Sequence, residues 1–61
     1  MKLWIARDRR GVLWLHLTQP FMTDDGFWHS GYQPAELYKD NFPKVTFENS
    51  PQEVELKLVE E

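Results

Sequence analysis

The sequence predicts an all-β domain: a small antiparallel sheet or partly open barrel of five to six short strands, with at most one helical turn. Three observations carry that prediction. KLWIAR and VLWLHLT alternate with a period of two on either side of Asp8-Arg9-Arg10-Gly11. KVTFE and EVELKLV alternate in the same way near the end, separated by Asn49-Ser50-Pro51. The 61 residues read as a single domain, 1–61, near the size at which about 60% of the unfolded surface can be buried, so one modest core is all the chain can build.

In the first strand Leu3, Ile5 and Arg7 alternate with Lys2, Trp4 and Ala6. In its partner, Leu13, Leu15 and Leu17 alternate with Val12, Trp14, His16 and Thr18. Asp favours the first position of a type I turn and Gly the left-handed position of a bulge, so residues 9 to 11 make a three-residue loop. Residue 8 then faces residue 12, and Ile5 lies across from Leu15 and Leu3 from Leu17. On the reverse side Trp4 meets His16 and Ala6 meets Trp14. A two-residue loop would slip the register by one and mix the faces.

QPFMTDDG, residues 19 to 26, carries Pro, Asp-Asp-Gly and no sustained period, which is loop chemistry. Phe27-Trp28-His29 is a candidate short third strand. The stretch YQPAELYKDNFP has two readings: a helix opened by Pro34 and ending before Phe42-Pro43, or a strand over 35–38 followed by a tight turn. KVTFE, residues 44 to 48, predicts a strand with Val45 and Phe47 inward, and EVELKLV a last strand with Val54, Leu56 and Leu58 inward.

The net charge of −3 is unevenly spread: residues 1 to 33 balance at +1 and residues 34 to 61 at −4. Four basic residues beside acidic neighbours make a poor duplex-binding stripe, which argues against duplex nucleic acid as partner. Five apolar residues before Arg7 fall far short of a signal peptide or a spanning helix, so neither membrane insertion nor processing is expected. With no cysteine there is neither a disulfide nor a thiolate metal site, and the expected compartment is the cytoplasm.

The opening KLWIARDRRGVLWL and the closing NFPKVTFENSPQEVELKL resemble a group of small proteins from gut Bacteroidales, their phages and mobile elements. The resemblance covers about half the chain, with Thr18 to Asn41 as the segment expected to vary. Members of that group usually carry a second acidic residue before the turn glycine and an acidic one after the proline, where this chain has Arg10 and Lys44. The resemblance implies a compact β fold, hence the strand reading of residues 35–42, and a mobile-element setting. It brings no catalytic residues with it.

His16, His29, Asp24 and Asp25 are the only ligand-type set, without the converging spacing of a zinc site, and Asp24-Asp25-Gly26 reads as a turn rather than a calcium loop. No metal or other cofactor is expected. Ser30 adjoins His29, but neighbours in an extended chain point to opposite faces and cannot share a proton, so no enzyme chemistry is expected. The informative excess is nine aromatic residues. The leucine side claims the inward faces of the later strands, leaving little to lay over Trp4 and Trp14. Either residues 19 to 33 fold back over that face, or it meets another molecule. Since Trp and Arg are enriched at binding hot spots, the candidate binding residues are Trp4, Trp14, His16, Arg7, Arg9 and Arg10. The expected function is a non-enzymatic binding protein inhibiting a host defence protein by direct contact. The alternative is a binder of a nucleotide signal that stacks the base on tryptophan and meets phosphate with Arg9 or Arg10, as a homo-oligomer.

Overall fold

A computed structural model describes residues 1–57 and contains six short strands and no helix among them. They are β1 (Lys2–Arg7), β2 (Leu13–His16), β3 (Phe21–Met22), β4 (Trp28–His29), β5 (Ala35–Leu37) and β6 (Gln52–Glu55). Four form an open antiparallel sheet in the order β5-β2-β1-β6, and β3 pairs with β4 as a separate flap. The sheet does not close into a barrel.

The first hairpin has the register read from its loop: Trp4 pairs with His16, Ile5 with Leu15, Ala6 with Trp14 and Arg7 with Leu13. The Asp8 amide donates to the Val12 carbonyl at 2.9 Å, and the Gly11 amide to the Asp8 carbonyl at 3.0 Å. Gly11 has φ of 94°, the conformation that makes glycine the natural residue of this bulge. Residues 19 to 26, expected to be loop throughout, use the same turn again. Gly26 donates to the Thr23 carbonyl at 3.1 Å, Thr23 to the Phe27 carbonyl at 3.3 Å, and Gly26 has φ of 83°. Phe21 thereby pairs with His29 and Met22 with Trp28.

Residues 35–42 take the strand reading, with Ala35 opposite Leu15 and Leu37 opposite Leu13. The chain must then cross from the β5 edge to the β6 edge, and it does so beneath the turn end of the leucine side. KVTFE, expected as a strand, is instead part of this crossing. Asn49 occupies the backbone that a ladder would need: its side-chain oxygen accepts from the Thr46 amide at 2.7 Å, and its amide nitrogen donates to the Lys44 carbonyl at 2.8 Å. Arg7 completes the crossing. Its guanidinium donates to the carbonyls of Val45 at 2.6 Å, Gly11 at 2.8 Å, Lys39 at 3.0 Å, Asn41 at 3.1 Å and Phe42 at 3.3 Å. Those five bonds use all five donors of the fork. β6 then pairs with β1, placing Val54 opposite Leu3 and Gln52 opposite Ile5. The expected inward position Leu58 lies outside the described residues.

The covering of the sheet differs from the expectation on the leucine side. Leu3, Ile5 and Leu13 are buried as expected, but Leu17 and Leu56, also expected inward, are 54% and 59% exposed. The crossing segment shelters only the Leu13 end of that side. On the tryptophan side Ala6 and His16 have no exposed surface at all, because the flap lies across them. Two side-chain bonds tie it down: the Trp28 indole donates to the Arg7 carbonyl at 3.0 Å, and His16 Nδ1 meets Ser30 Oγ at 2.9 Å.

Candidate functional site

The structure sorts the six candidate binding residues into two groups. Arg7 and His16 are corrections. Arg7 spends its guanidinium on the crossing segment, and its amide donates to Ser50 Oγ at 2.9 Å, so no donor remains for a partner. His16 is sealed beneath the flap and offers no contact surface. Trp4 and Trp14 are half-buried, and the Trp14 indole donates to Asp8 Oδ2 at 3.2 Å. Residues 19 to 33 thus fold back over the Ala6 and His16 part of this face and leave Trp4 and Trp14 half-buried.

Asp8 is the acceptor around which the turn is organised, a residue the sequence marked only as a turn former. Its buried carboxylate accepts from the Arg10 amide at 2.9 Å and the Val12 amide at 3.1 Å, besides the Trp14 indole and Arg10 Nη2 at 3.3 Å. Burial by itself raises the carboxyl, but these hydrogen bonds outweigh it and hold Asp8 below its ordinary 3.8. A carboxylate with so many donors keeps its charge inside the turn.

Arg9 and Arg10 are the exposed pair. Arg10 lies 4.7 Å from the centroid of the Phe27 ring, and Arg9 5.7 Å from that of Phe47. Arg9 also packs on the backbone of Gly26, where an added Cβ would stand 3.0 Å from its Cζ. Each guanidinium is thus positioned by an aromatic face while remaining open to solvent. Beside them the flap carries two exposed apolar side chains, Phe21 and Met22, with Phe21 packed against the His29 ring at 6.1 Å.

His16 and Ser30 form a pair that sequence reading missed, because 14 residues separate them and only the flap's return brings them together. A serine beside a histidine is the raw material of nucleophilic catalysis, but the arrangement here runs the other way. Ser30 Oγ donates to the Tyr32 carbonyl at 2.9 Å, so it accepts from Nδ1–H of His16. The ring's other nitrogen, Nε2, is buried without a hydrogen-bond partner, and no carboxylate orients it as a base. Burial, then the charge of His29, keeps His16 below its ordinary 6.5. Among the described residues no group of three or more His, Asp or Glu is placed to hold a metal ion, and no helix is long and apolar enough to cross a membrane.

A concave feature lies on the opposite, leucine side. Leu3, Ile5, Leu15, Leu37 and Val54 floor a mainly apolar cleft of about 330 Å³, walled by Phe42, Glu55 and Leu56. Comparison of the chain with protein-family models, with curated proteins and with solved structures finds no match.

Proposed function

We propose that this is a non-enzymatic cytoplasmic binding protein that acts by contact with another protein, through the Arg9–Arg10 turn and the outer side of the flap. The observation that supports this reading is the pre-positioned arginine pair. Two exposed guanidinium groups, each steadied by an aromatic ring, lose little side-chain freedom on meeting a partner. Arginine flanked by exposed aromatic and thioether side chains matches the composition of interface hot spots. The resemblance to proteins of Bacteroidales phages and mobile elements supplies the biological setting: the partner is a host protein, and inhibition of a defence component is the role. Stacking of a nucleotide base on Trp4 or Trp14 has less in its favour, since both rings are half-buried and the Trp14 indole already serves Asp8.

The test is affinity capture from a Bacteroidales host lysate with the wild type and Arg9→Ser/Arg10→Ser, read by native mass spectrometry. A stoichiometric protein held by the wild type and lost by the variant is the expected result. Equal capture by both chains, or retention of a nucleotide in place of a protein, refutes it.

A further inference from the structure

We infer that the leucine cleft is the seat of a second copy of this chain, and that the protein is a two-fold symmetric dimer joined leucine side to leucine side. The first argument is a deficit of cover. A sheet needs a second layer against its apolar face, and here the crossing segment supplies it only at the Leu13 end. Among the described residues the buried apolar ones are Leu3, Ile5, Ala6, Leu13 and Pro20. Domains of this size lacking disulfides commonly complete their core by association.

The second argument is area. Phe42 and Leu56 wall the cleft and are 52% and 59% exposed; Met1, bonded to Leu56, is 75% exposed, and Leu17, next in the leucine alternation, is 54% exposed. At roughly 200 Å² for a large apolar residue, these four leave about 500 Å² open on each copy. Two copies together reach the approximately 1,000 Å² that a specific interface must clear.

The third argument is charge, and it is compatible with a second copy. A two-fold axis sets a patch against itself, so a charge close to the axis meets its like. The register places Lys2, Glu36 and Glu53 on the tryptophan side, and Glu55, though paired with Lys2, also lines the cleft. The leucine side of the strands carries one ionisable residue, Arg7, and that is turned into the crossing segment. Such a face meets its own image without repulsion when the axis passes away from Glu55. The flap and the arginine pair remain on the outside of the dimer, one set on each outer face, on opposite sides of the axis.

Sedimentation equilibrium over a concentration series tests this, with Leu56→Glu and Phe42→Asn as variants. Phe42 has φ of 51°, which asparagine tolerates better than phenylalanine, so that change removes the apolar wall without straining the backbone. Leu56→Glu sets two carboxylates against each other across the axis. The wild type is expected at twice the chain mass of 7.3 kDa, with each variant raising the dissociation constant about tenfold or more while its circular dichroism stays that of the wild type. Phe21→Ser, on the flap, leaves the dimer intact. A wild type that is monomeric into the millimolar range, or a dimer as tight in Leu56→Glu and Phe42→Asn as in the wild type, overturns the inference. Loss of the dimer in Phe21→Ser alone overturns it as well.

Discussion

Replacing Arg7 by methionine tests how far one side chain holds the crossing segment in place. Two of its five hydrogen bonds, to Val45 and Gly11, are partly buried, and the three to Lys39, Asn41 and Phe42 are exposed. A hydrogen bond to a charged group contributes about 1.5 to 3 kcal/mol when sheltered, and exposed ones contribute little. Taking the low end for the two sheltered bonds gives a loss of about 3 kcal/mol. A chain of 61 residues has roughly 3 to 9 kcal/mol of stability in all, so Arg7→Met is expected to unfold the domain or bring it close to unfolding. Arg7→Lys falls between, since an ammonium has three donors and cannot span the fork. Urea melts give the global loss. Hydrogen exchange at the amides of Asn41 and Val45, which bond to the carbonyls of Tyr38 and Phe42, reports whether the crossing opens first. An Arg7→Met variant within about 1 kcal/mol of the wild type, with those amides equally protected, would refute the reasoning.

The other predictions concern the flap, the turns and the tryptophan. The pKa of His16 is depressed on folding, so the unfolded chain binds the proton more readily. Stability is therefore full above pH 6.5, the ordinary value, and declines as pH falls from there toward the folded value; urea melts at neutral and mildly acidic pH should show this, and His16→Met should flatten it. Gly11→Ala and Gly26→Ala both strain a positive φ, at about 1 kcal/mol each, but only at Gly26 does the new methyl press on Arg9. Gly26→Ala should therefore cost more in a thermal melt and also weaken partner capture. Trp14→Ala removes a half-buried ring and one donor to Asp8, and should cost about 2 to 4 kcal/mol of folding stability; unchanged stability with lost partner binding would restore Trp14 as a contact residue.

The first hairpin was legible because turn chemistry and strand alternation agree: Asp8 and Gly11 demand one loop length, and that length matches leucine to leucine. The second hairpin was written in similar chemistry, Thr23-Asp24-Asp25-Gly26, but its two-residue strands are too short to show a period. KVTFE misled in the opposite sense. Its alternation is genuine, yet the Asn49 side chain and the Arg7 guanidinium take the backbone groups that a ladder would have used. Which side of the sheet is covered was beyond a pattern argument, because alternation separates two faces without saying where the flap will land. The exposed Arg9 and Arg10 could be picked out by residue type. The consumption of Arg7 depends on a segment more than 30 residues away and leaves no local mark.

The flap is an insertion within a hairpin. β2 and β5 are hydrogen-bonded neighbours, with Leu15 facing Ala35, and everything between them leaves the sheet at His16 and returns in time to pair. The four-stranded ladder closes without a backbone bond from β3 or β4. Residues 19 to 33 can thus be lengthened, shortened or rewritten with no slip of register elsewhere, provided something polar still meets His16 and something apolar still roofs Ala6. A lineage under pressure to change its target could redraw this one surface and inherit the rest of the scaffold intact.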